Sequence, residues 1–242
     1  MTRIPPAEKV GAVVPAAGAG ERLPGPVPKQ FRHLAGSPMI WHTLRRLHQA
    51  ELLRLIVLVL PPSETPDIEL PSDLAGVVRV AGGGSRRQDS VARGLAALPP
   101  EVEWVVVHDG ARPLLPPPLV GACLLAAQET GAAIAALPVS DTLKQADAEG
   151  FSEGTLSREK AWLAQTPQVA RRDLLCRAIE AGGPAVWTDE SAMLESIGVR
   201  VKLVLGAKEN LKITTPEDFA LAEAYLARAP SEGFAPLPGE PR

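Results

Sequence analysis

The chain contains 242 residues, of which 45% are hydrophobic and 22% are charged. These fractions are typical of globular proteins and exclude wholesale disorder and a fibrous architecture. The formal net charge of −3 excludes a generally basic nucleic-acid-binding protein, because such proteins concentrate lysine and arginine against the phosphates. The length favours one large α/β domain with an appendage.

The apolar stretches and the cysteines indicate the compartment. Residues 1–9 lack the apolar segment of a signal peptide, and the most apolar run, residues 52–60, is too short to span a membrane. Cys123 and Cys176 form neither a CxxC pair nor a zinc-site spacing, which favours buried free thiols over a disulfide framework. We therefore expect a cytoplasmic protein with neither a membrane nor a nucleic acid as a partner.

Six short apolar runs predict strands, and most of them are separated by enough residues for a helix. The predicted strands are residues 10–15, 55–60, 77–80, 104–108, 132–138 and 199–205. The predicted helices are residues 38–50, 85–98, 119–130, 171–181 and 215–227. This alternation predicts an α/β fold that is Rossmann-like, with a mostly parallel sheet and helices on both faces.

Residue types at the helix ends support these assignments. The sequence Ser85-Arg86-Arg87-Gln88 has the spacing of a capping box, and Thr215 precedes Pro216 as an N-cap residue. Glycine at position 131 and the pair at 182–183 are typical of residues that end a helix.

One stretch departs from the α/β alternation. Residues 139–165 have alternating polar character and no helical period, so they predict a β-arm that protrudes from the main sheet. Such an arm cannot bury its own faces and usually packs on the same arm of a second subunit, which predicts a homodimer. Residues 229–242, rich in proline and glycine, predict a flexible tail, so residues 1–228 form the expected single domain.

The first predicted strand leads into a glycine-containing loop, residues 15–23, which is followed by Lys29. Glycine after a buried strand lets backbone amides approach an anionic ligand, and Ala16 and Ala17 leave a flat floor for a base. The dinucleotide fingerprint is not met, because Leu23 stands where its third glycine is required. Arg22 and Lys29 suit a triphosphate, although a strand-to-helix turn with two solvated cations explains the spacing equally well.

A second glycine loop, residues 81–90, lies between a predicted strand and a predicted helix. Three consecutive glycines allow a ligand to touch the main chain, and the amides at a helix start are oriented toward acceptors. Ser90 is placed to read a polar base edge, whereas the alternative is a connector with an ordinary cap.

The fourth predicted strand ends at His108 and is followed by Asp109. A carboxylate at the C-terminal end of a parallel strand faces the crevice where α/β proteins bind ligands, and it commonly holds a divalent ion. Arg112 follows three residues after Asp109, so its guanidinium is a candidate for binding a second phosphate at the same crevice. His108 is interpreted as a packed residue at the strand end, because no zinc-binding spacing accompanies it.

Seven sequence blocks in this order carry a strong resemblance to a known family. They are PAAGAGERLPGPVPKQF, GGGSRRQDSV, VHDGARP, PVSDTLK, QTPQ, TDESAMLE and ENLKITTPED. Together they resemble the 2-C-methyl-D-erythritol 4-phosphate cytidylyltransferases of the non-mevalonate isoprenoid pathway. The resemblance runs from about residue 10 to residue 226, which is nearly the whole chain.

The resemblance implies a nucleotidyltransferase that moves a cytidylyl group from CTP to methylerythritol phosphate with Mg²⁺. Arg22 and Lys29 would be the catalytic cations, and Asp109 would lie near both the metal and the substrate. The nucleotide would be held by Ala16, Ala17, Gly18, Gly84, Ser85 and Ser90. The second substrate would be held by Asp109, Arg112, Thr188 and Lys212, joined by Thr142, Arg158 and Thr166 on the arm of the other subunit.

Two positions depart from the family pattern. Ser85 stands where an aspartate is common, and Glu209 stands where an aspartate can occur, which affects the expected ribose contacts and the orientation of the nearby lysine. Two alternative functions remain open: a cytidylyltransferase for another polyol phosphate such as ribitol 5-phosphate, and a CTP-sensing domain without turnover. The pair Arg22 and Lys29 argues against the sensor, because a sensor has no developing charge to stabilise.

Overall fold

A computed structural model describes residues 3–18, 25, 27–63 and 68–228. The predictions for Arg22 and for the tail at 229–242 therefore lie outside the described residues. The strands are β1 (Val10–Pro15), β2 (His33–Leu34), β3 (Ser37–Pro38), β4 (Leu55–Leu60), β5 (Val78–Gly82), β6 (Trp104–Val107), β7 (Ala132–Pro138), β8 (Leu143–Ala146), β9 (Ser152–Leu156), β10 (Trp162–Arg171) and β11 (Lys202–Leu205). The α-helices are α1 (Met39–His48), α2 (Arg87–Ala97), α3 (Pro117–Thr130), α4 (Arg172–Gly182), α5 (Glu190–Ser196) and α6 (Pro216–Arg228).

Seven strands form one central sheet in the order β11-β7-β10-β6-β1-β4-β5. Strand β10 is antiparallel to both of its neighbours, and the other neighbouring pairs are parallel. The predicted mostly parallel sheet is confirmed.

Helices cover both faces of this sheet, as predicted. In β1, Ala12 and Val14 belong to the core cluster that contains Leu44 of α1 and Val120 of α3. Between them Val13 belongs to the opposite cluster, which contains Leu95 of α2. Because both faces are covered, the strand is apolar along its whole length, and this pattern made β1 recognisable in the sequence.

Four of these elements were not predicted: the two-residue strands β2 and β3, strand β10 and helix α5. Strand β10 covers the last four residues of the predicted arm, residues 166–170, for which no element is predicted, and the first residue of the predicted helix. Gln165, Thr166 and Pro167 interrupt its apolar character. Its pairing with β7 is interrupted between Ala164 and Gln168. Helix α5 has only seven residues, so no helical period was visible, and the Asp189 carboxylate caps it by accepting from the Ala192 N–H at 2.9 Å.

Most of the predicted helix ends are confirmed. Gly131 ends α3 in the left-handed conformation, with φ of 92°. The Thr215 Oγ1 accepts from the Asp218 N–H at the start of α6. The capping box assigned to Ser85 and Gln88 is wrong, because α2 begins two residues later than predicted and Asp89 accepts from the Arg86 N–H at 3.0 Å.

The region predicted as an arm contains the hairpin of β8 and β9, which pair with each other in a separate two-stranded sheet. Nearly all of its side chains are exposed, and Phe151 at its turn has 72% of its surface accessible. Across the described ranges, the helices lack the combination of length and apolar character needed to cross a membrane. Both cysteines are free, with Cys123 buried and Cys176 half-buried.

Candidate active site

The C-terminal ends of the parallel strands open into a cavity of about 490 Å³. Carboxyl ends of parallel strands meet at one edge of a sheet, so loops that are far apart in sequence meet there. Nine of the predicted site residues line this cavity: Ala16, Ala17, Gly18, Lys29, Gly84, Ser85, Ser90, Asp109 and Lys212. The structure therefore brings the two glycine loops and the residue after β6 into one site.

The second glycine loop packs so closely against the first that position 83 has no room for a side chain. A Cβ added to Gly83 would lie 2.5 Å from the Ala17 Cβ, so a side chain there would push the two loops apart. The Gly84 N–H donates to the Ser90 Oγ at 3.1 Å, and the Ser90 hydroxyl in turn donates to the Arg86 carbonyl. The Ser90 hydroxyl therefore stabilises the conformation of the glycine loop, in addition to its predicted contact with a base.

Ser85, one of the two departures from the family pattern, is drawn into the start of α2. Its hydroxyl donates to the Asp89 Oδ2 at 3.1 Å, and Arg86 forms an ion pair with the same carboxylate. These interactions hold the pKa of Asp89 low, at about 2, chiefly through the hydrogen bonds from Arg86. The side chain of Ser85 nonetheless lines the cavity.

Lys29 begins a 3₁₀ turn, Lys29–Phe31, and its side chain extends to the loop that contains Ile213, which is distant in sequence. Its Nζ donates to the Ile213 carbonyl at 2.9 Å, close to Lys212 in sequence. The ammonium group is therefore anchored at the cavity wall. Arg22, the other predicted catalytic cation, lies outside the described residues.

Asp109 is surrounded by three cations. Its Oδ1 is 2.9 Å from an Arg87 nitrogen, and its Oδ2 is 2.8 Å from the Lys212 Nζ and 3.8 Å from the Arg112 Nε. Burial by itself raises the pKa of Asp109, but the charges of Arg87, Lys212 and Arg112 outweigh it and hold that pKa well below its usual range. The site thus holds a carboxylate that stays ionised although only 10% of its side chain is exposed.

The backbone of Asp109 is fixed by Thr166, which is a correction to the sequence prediction. Thr166 was expected on the arm of another subunit, but it lies in β10 of the central sheet, where its Oγ1 accepts from the Asp109 N–H at 3.1 Å. The same Oγ1 is 2.9 Å from the His108 Nδ1, and the His108 Nε2 is 3.2 Å from the Arg112 carbonyl. Pro167 and the neighbouring glutamines hid the strand that carries Thr166 to this position.

The direction of these hydrogen bonds follows from the residues involved. A carbonyl only accepts, so the His108 Nε2 carries the proton, its Nδ1 accepts, and the Thr166 hydroxyl donates to it. Burial lowers the pKa of His108 to about 4, which keeps the ring neutral near pH 7. His108 is therefore a packed residue at the strand end, as its sequence context indicated.

The loop that carries Lys212 is fastened to β10 from two sides. The Arg112 Nη1 donates to the Asn210 carbonyl at 2.7 Å, and the Asn210 Nδ2 donates to the Thr166 carbonyl at 2.7 Å. Gln165 adds a hydrogen bond from its Nε2 to the Ala207 carbonyl at 2.9 Å. Arg112 is buried beneath this loop and does not line the cavity.

Of the predicted substrate-binding residues, Asp109 and Lys212 line the cavity of this chain, whereas Arg112, Thr142, Arg158, Thr166 and Thr188 do not. Thr142, just before β8, and Arg158, just after β9, are both exposed, and the Arg158 guanidinium donates to the Ser140 carbonyl. Thr188 is exposed in the segment before α5.

Three charged residues of the site were missed, and two of them, Arg86 and Arg87, line the cavity. Arg87 lines the cavity and bridges Asp109 and Glu190, although its position at a helix start suggested only capping. Glu190 is 1% exposed, and nothing in its sequence context indicates burial. The only available signal was a second arginine directly after a glycine loop.

Asp109 is the residue of the cavity lining that would hold a Mg²⁺ ion bound together with a nucleotide. Among the residues that the structure describes, no cluster of three or more His, Cys, Asp or Glu side chains forms a preassembled metal site. Asp109 contributes one carboxylate to the cavity lining. Mg²⁺ commonly binds through one or two carboxylates plus substrate phosphates, so this single carboxylate fits such an ion.

Comparisons with known proteins agree with this geometry. The family model described as 2-C-methyl-D-erythritol 4-phosphate cytidylyltransferase matches residues 10–228. A protein of that name from Pelotomaculum thermopropionicum is 44% identical over 225 residues, covering 90% of this chain and 94% of the relative. A crystal structure of the enzyme of that name from Thermus thermophilus superposes with a TM-score of 0.76 at 33% identity, covering 90% of this chain and 99% of that one.

A longer relative shares the same region. The bifunctional enzyme IspD/IspF of Desulfotalea psychrophila is 44% identical over 221 residues, which cover 90% of this chain but 57% of the relative. The chain therefore spans little more than half the length of that relative. Since the family model matches from β1 to α6, and a relative of that name is 44% identical over 90% of this chain, the chain belongs to the 2-C-methyl-D-erythritol 4-phosphate cytidylyltransferase family.

Proposed function

We propose that this protein transfers a cytidylyl group from CTP to 2-C-methyl-D-erythritol 4-phosphate, giving 4-diphosphocytidyl-2-C-methyl-D-erythritol and pyrophosphate for isoprenoid precursor synthesis. The observation that carries the proposal is the shared cavity, in which Lys29, Asp109 and Lys212 meet the second glycine loop. The choice of CTP and methylerythritol phosphate as the two substrates rests on membership of the family.

The reaction needs no nucleophile from the protein. A phosphate oxygen of the methylerythritol phosphate attacks the α-phosphorus of CTP and forms a new P–O bond. The bond from that phosphorus to the bridging oxygen breaks, and pyrophosphate leaves with the electron pair. Catalysis then consists of positioning and charge stabilisation, which the cations of this cavity supply.

The nucleotide fits the part of the cavity built by small residues. Ala16, Ala17 and Gly84 would receive cytosine, while Gly18 and Ser85 would lie along the ribose and phosphates. A backbone carbonyl that accepts from N4 of cytosine would face O4 of uracil without a partner, which costs about 1–3 kcal/mol. We therefore expect CTP to be preferred over UTP.

The phosphates fit the cationic part of the cavity. Lys29, held at the Ile213 carbonyl, and the predicted Arg22 would neutralise the triphosphate as its negative charge moves. Lys212 would hold the phosphate of the second substrate, while Arg112, which does not line the cavity, would contribute its positive charge from outside the lining. Asp109 would hold Mg²⁺, which supplies charge neutralisation on the triphosphate oxygens and eases the departure of pyrophosphate.

A homodimer would complete the substrate site. Thr142 and Arg158 are exposed on the arm of this chain, which supports their action at the cavity of a neighbour. Thr188 has an exposed position that a second substrate can reach. Thr166, by contrast, belongs to the chain that carries Asp109 and contributes there by supporting its backbone. The cytoplasmic location stays a prediction.

Pyrophosphate release is the test. The protein is incubated with Mg²⁺ and CTP together with methylerythritol phosphate, with ribitol 5-phosphate or with no acceptor, and UTP replaces CTP in a parallel series. We expect rapid release only with CTP and methylerythritol phosphate. Faster turnover with ribitol 5-phosphate would replace the proposed acceptor, and CTP binding without release in any arm would favour a sensor.

A further inference from the structure

Glu190 has no role in the reaction described so far, yet it is buried behind the cavity. Its side chain is 1% exposed and does not line the cavity. One carboxylate oxygen accepts a hydrogen bond from the Arg87 Nη1, and the other is buried with no hydrogen-bond partner among the described residues. Burying a carboxylate in this way is costly, and a buried ion pair is weak evidence for a gain in stability.

Arg87 connects Glu190 to the cavity. Its Nη1 donates to Glu190 at the start of α5, and its Nη2 donates to the Asp109 Oδ1 at 2.9 Å after β6. A planar guanidinium holds two carboxylates at a fixed angle, whereas the ammonium of a lysine is a point charge on a flexible chain. Burial opposes the charge of Arg87, but the two carboxylates outweigh it and raise the pKa of Arg87.

We propose that Glu190 is a positioning residue that acts through Arg87: it fixes one edge of the guanidinium, so that the other edge binds only Oδ1 of Asp109 and leaves Oδ2 facing Lys212. This inference rests on the proposed function, because Asp109 matters only if it serves the metal and the phosphates. Glu190 itself touches neither substrate. Its effect reaches the reaction through the orientation of one carboxylate.

The charge change in Glu190→Gln distinguishes an effect on the orientation of Asp109 from an effect on the electrostatic attraction of CTP. Replacing Glu190 with glutamine removes a negative charge near a site for two anionic substrates, so electrostatic attraction for CTP does not fall. Glutamine keeps an acceptor oxygen but carries no charge, so it holds Arg87 more weakly, and Arg87 can then close on both oxygens of Asp109. A lower turnover with undiminished CTP affinity therefore reports a lost orientation.

The experiment measures Glu190→Gln, Asp109→Asn and the double variant. We expect Glu190→Gln to lower kcat about 10-fold to 100-fold, as loss of an orienting partner commonly does. The CTP dissociation constant, measured by calorimetry with Mg²⁺, should not rise. In the Asp109→Asn background, Glu190→Gln should change kcat by less than about twofold, because residues acting through one another are not additive.

Two further variants keep the test decisive. Glu103→Gln is the matched control, because Glu103 is an exposed carboxylate paired with Lys9 just before β6, at the end of the strand away from Asp109. Arg87→Lys keeps the cation and covers the case in which Glu190→Gln fails to fold. It should lower kcat over the same range, and Glu190→Gln should add little to it.

Several outcomes would overturn the inference. These are full kcat in Arg87→Lys, a Glu190→Gln variant equal to Glu103→Gln, full additivity with Asp109→Asn, or a kcat loss matched by weaker CTP binding and a lower melting temperature. A native protein that releases no pyrophosphate would overturn the proposed function instead, and the two failures are therefore distinguishable.

Discussion

The backbone N–H of Asp109 donates to the side-chain hydroxyl of Thr166 at 3.1 Å, across 57 positions of sequence. This contact ties the residue after β6 to the antiparallel strand β10. Three cations hold the carboxylate of Asp109, and one neutral hydroxyl holds its backbone N–H. Both attachments are open to separate tests.

Thr166→Val tests the backbone attachment. The substitution removes the hydroxyl but keeps a similar volume, so the Asp109 N–H and the His108 Nδ1 each lose a partner, at about 1–3 kcal/mol per buried group. Thr166→Ser keeps the hydroxyl and should retain most of the stability and rate. Urea unfolding and pyrophosphate release measure both variants, and equal losses in the two would contradict this role of the hydroxyl.

Lys29→Ala tests transition-state stabilisation. We expect kcat to fall about 100-fold to 1000-fold, since the lysine acts on charge that appears mainly during transfer. The KM for CTP should change much less. Lys202→Ala is the control, because Lys202 is an exposed lysine of β11 paired with Glu129. A normal kcat with a raised KM for CTP would assign Lys29 to ordinary ground-state binding.

Asp109→Asn separates a metal role from a structural one. The substitution keeps the shape of the side chain but removes the charge that the three surrounding cations share. We expect a large loss of rate that excess Mg²⁺ partly restores, whereas Asp173→Asn, at an exposed ion pair with Arg171, should leave the rate unchanged. A lowered melting temperature without any recovery by Mg²⁺ would show that Asp109 is structural.

His108 predicts a specific dependence of stability on pH. Because burial lowers its pKa from 6.5 to about 4, the unfolded chain binds a proton more readily between these values. Its contribution is therefore complete above about pH 6.5 and is lost as the pH falls, by about 2 kcal/mol between pH 7.5 and pH 5.

His108→Gln isolates this contribution from the carboxylates that titrate nearby. The free energy of unfolding of the variant should fall less than that of the native protein between the same two pH values. His33→Gln, on an exposed residue of β2, is the substitution control. Parallel pH profiles for the native protein and His108→Gln would contradict a neutral buried ring.

Mixed dimers test whether the arm serves a neighbouring cavity. Arg158→Ala should raise the KM for methylerythritol phosphate much more than the KM for CTP, because a guanidinium binds phosphate bidentately. Combining Arg158→Ala chains with Lys29→Ala chains should regenerate one complete site per heterodimer. If heterodimers form and no activity returns, each chain completes its own pocket.

The parts of the fold that could be predicted are those with a buried, regular pattern. β1, β4 and β7 were predicted with their observed bounds, because both of their faces meet helices and every position is apolar. β10 was missed, because the residues that serve the site are polar and a proline lies among them. The same chemistry that makes this strand functional removes the pattern by which a strand is recognised.

The candidate site likewise contains residues that could be predicted from the local sequence and residues that could not. Glycine loops and a carboxylate after a strand are local signals, and the cavity contains both. Arg87 and Glu190 meet only through folding, across 103 positions, so no spacing reveals the pair. Thr166 was named from a resemblance but assigned to the wrong structural element, because sequence order places it next to the arm.

Strand β10 leads from the exposed Trp162 to the buried Thr166, and its pairing with β7 becomes irregular after Ala164. Side chains alternate between the two faces of a strand, so one residue inserted or deleted between Trp162 and Thr166 would turn the Thr166 side chain away from Asp109. The turn at residues 147–151 carries no such constraint, because it only closes the hairpin. Length variation among related chains should therefore collect at that turn, while the spacing between Trp162 and Thr166 stays constant.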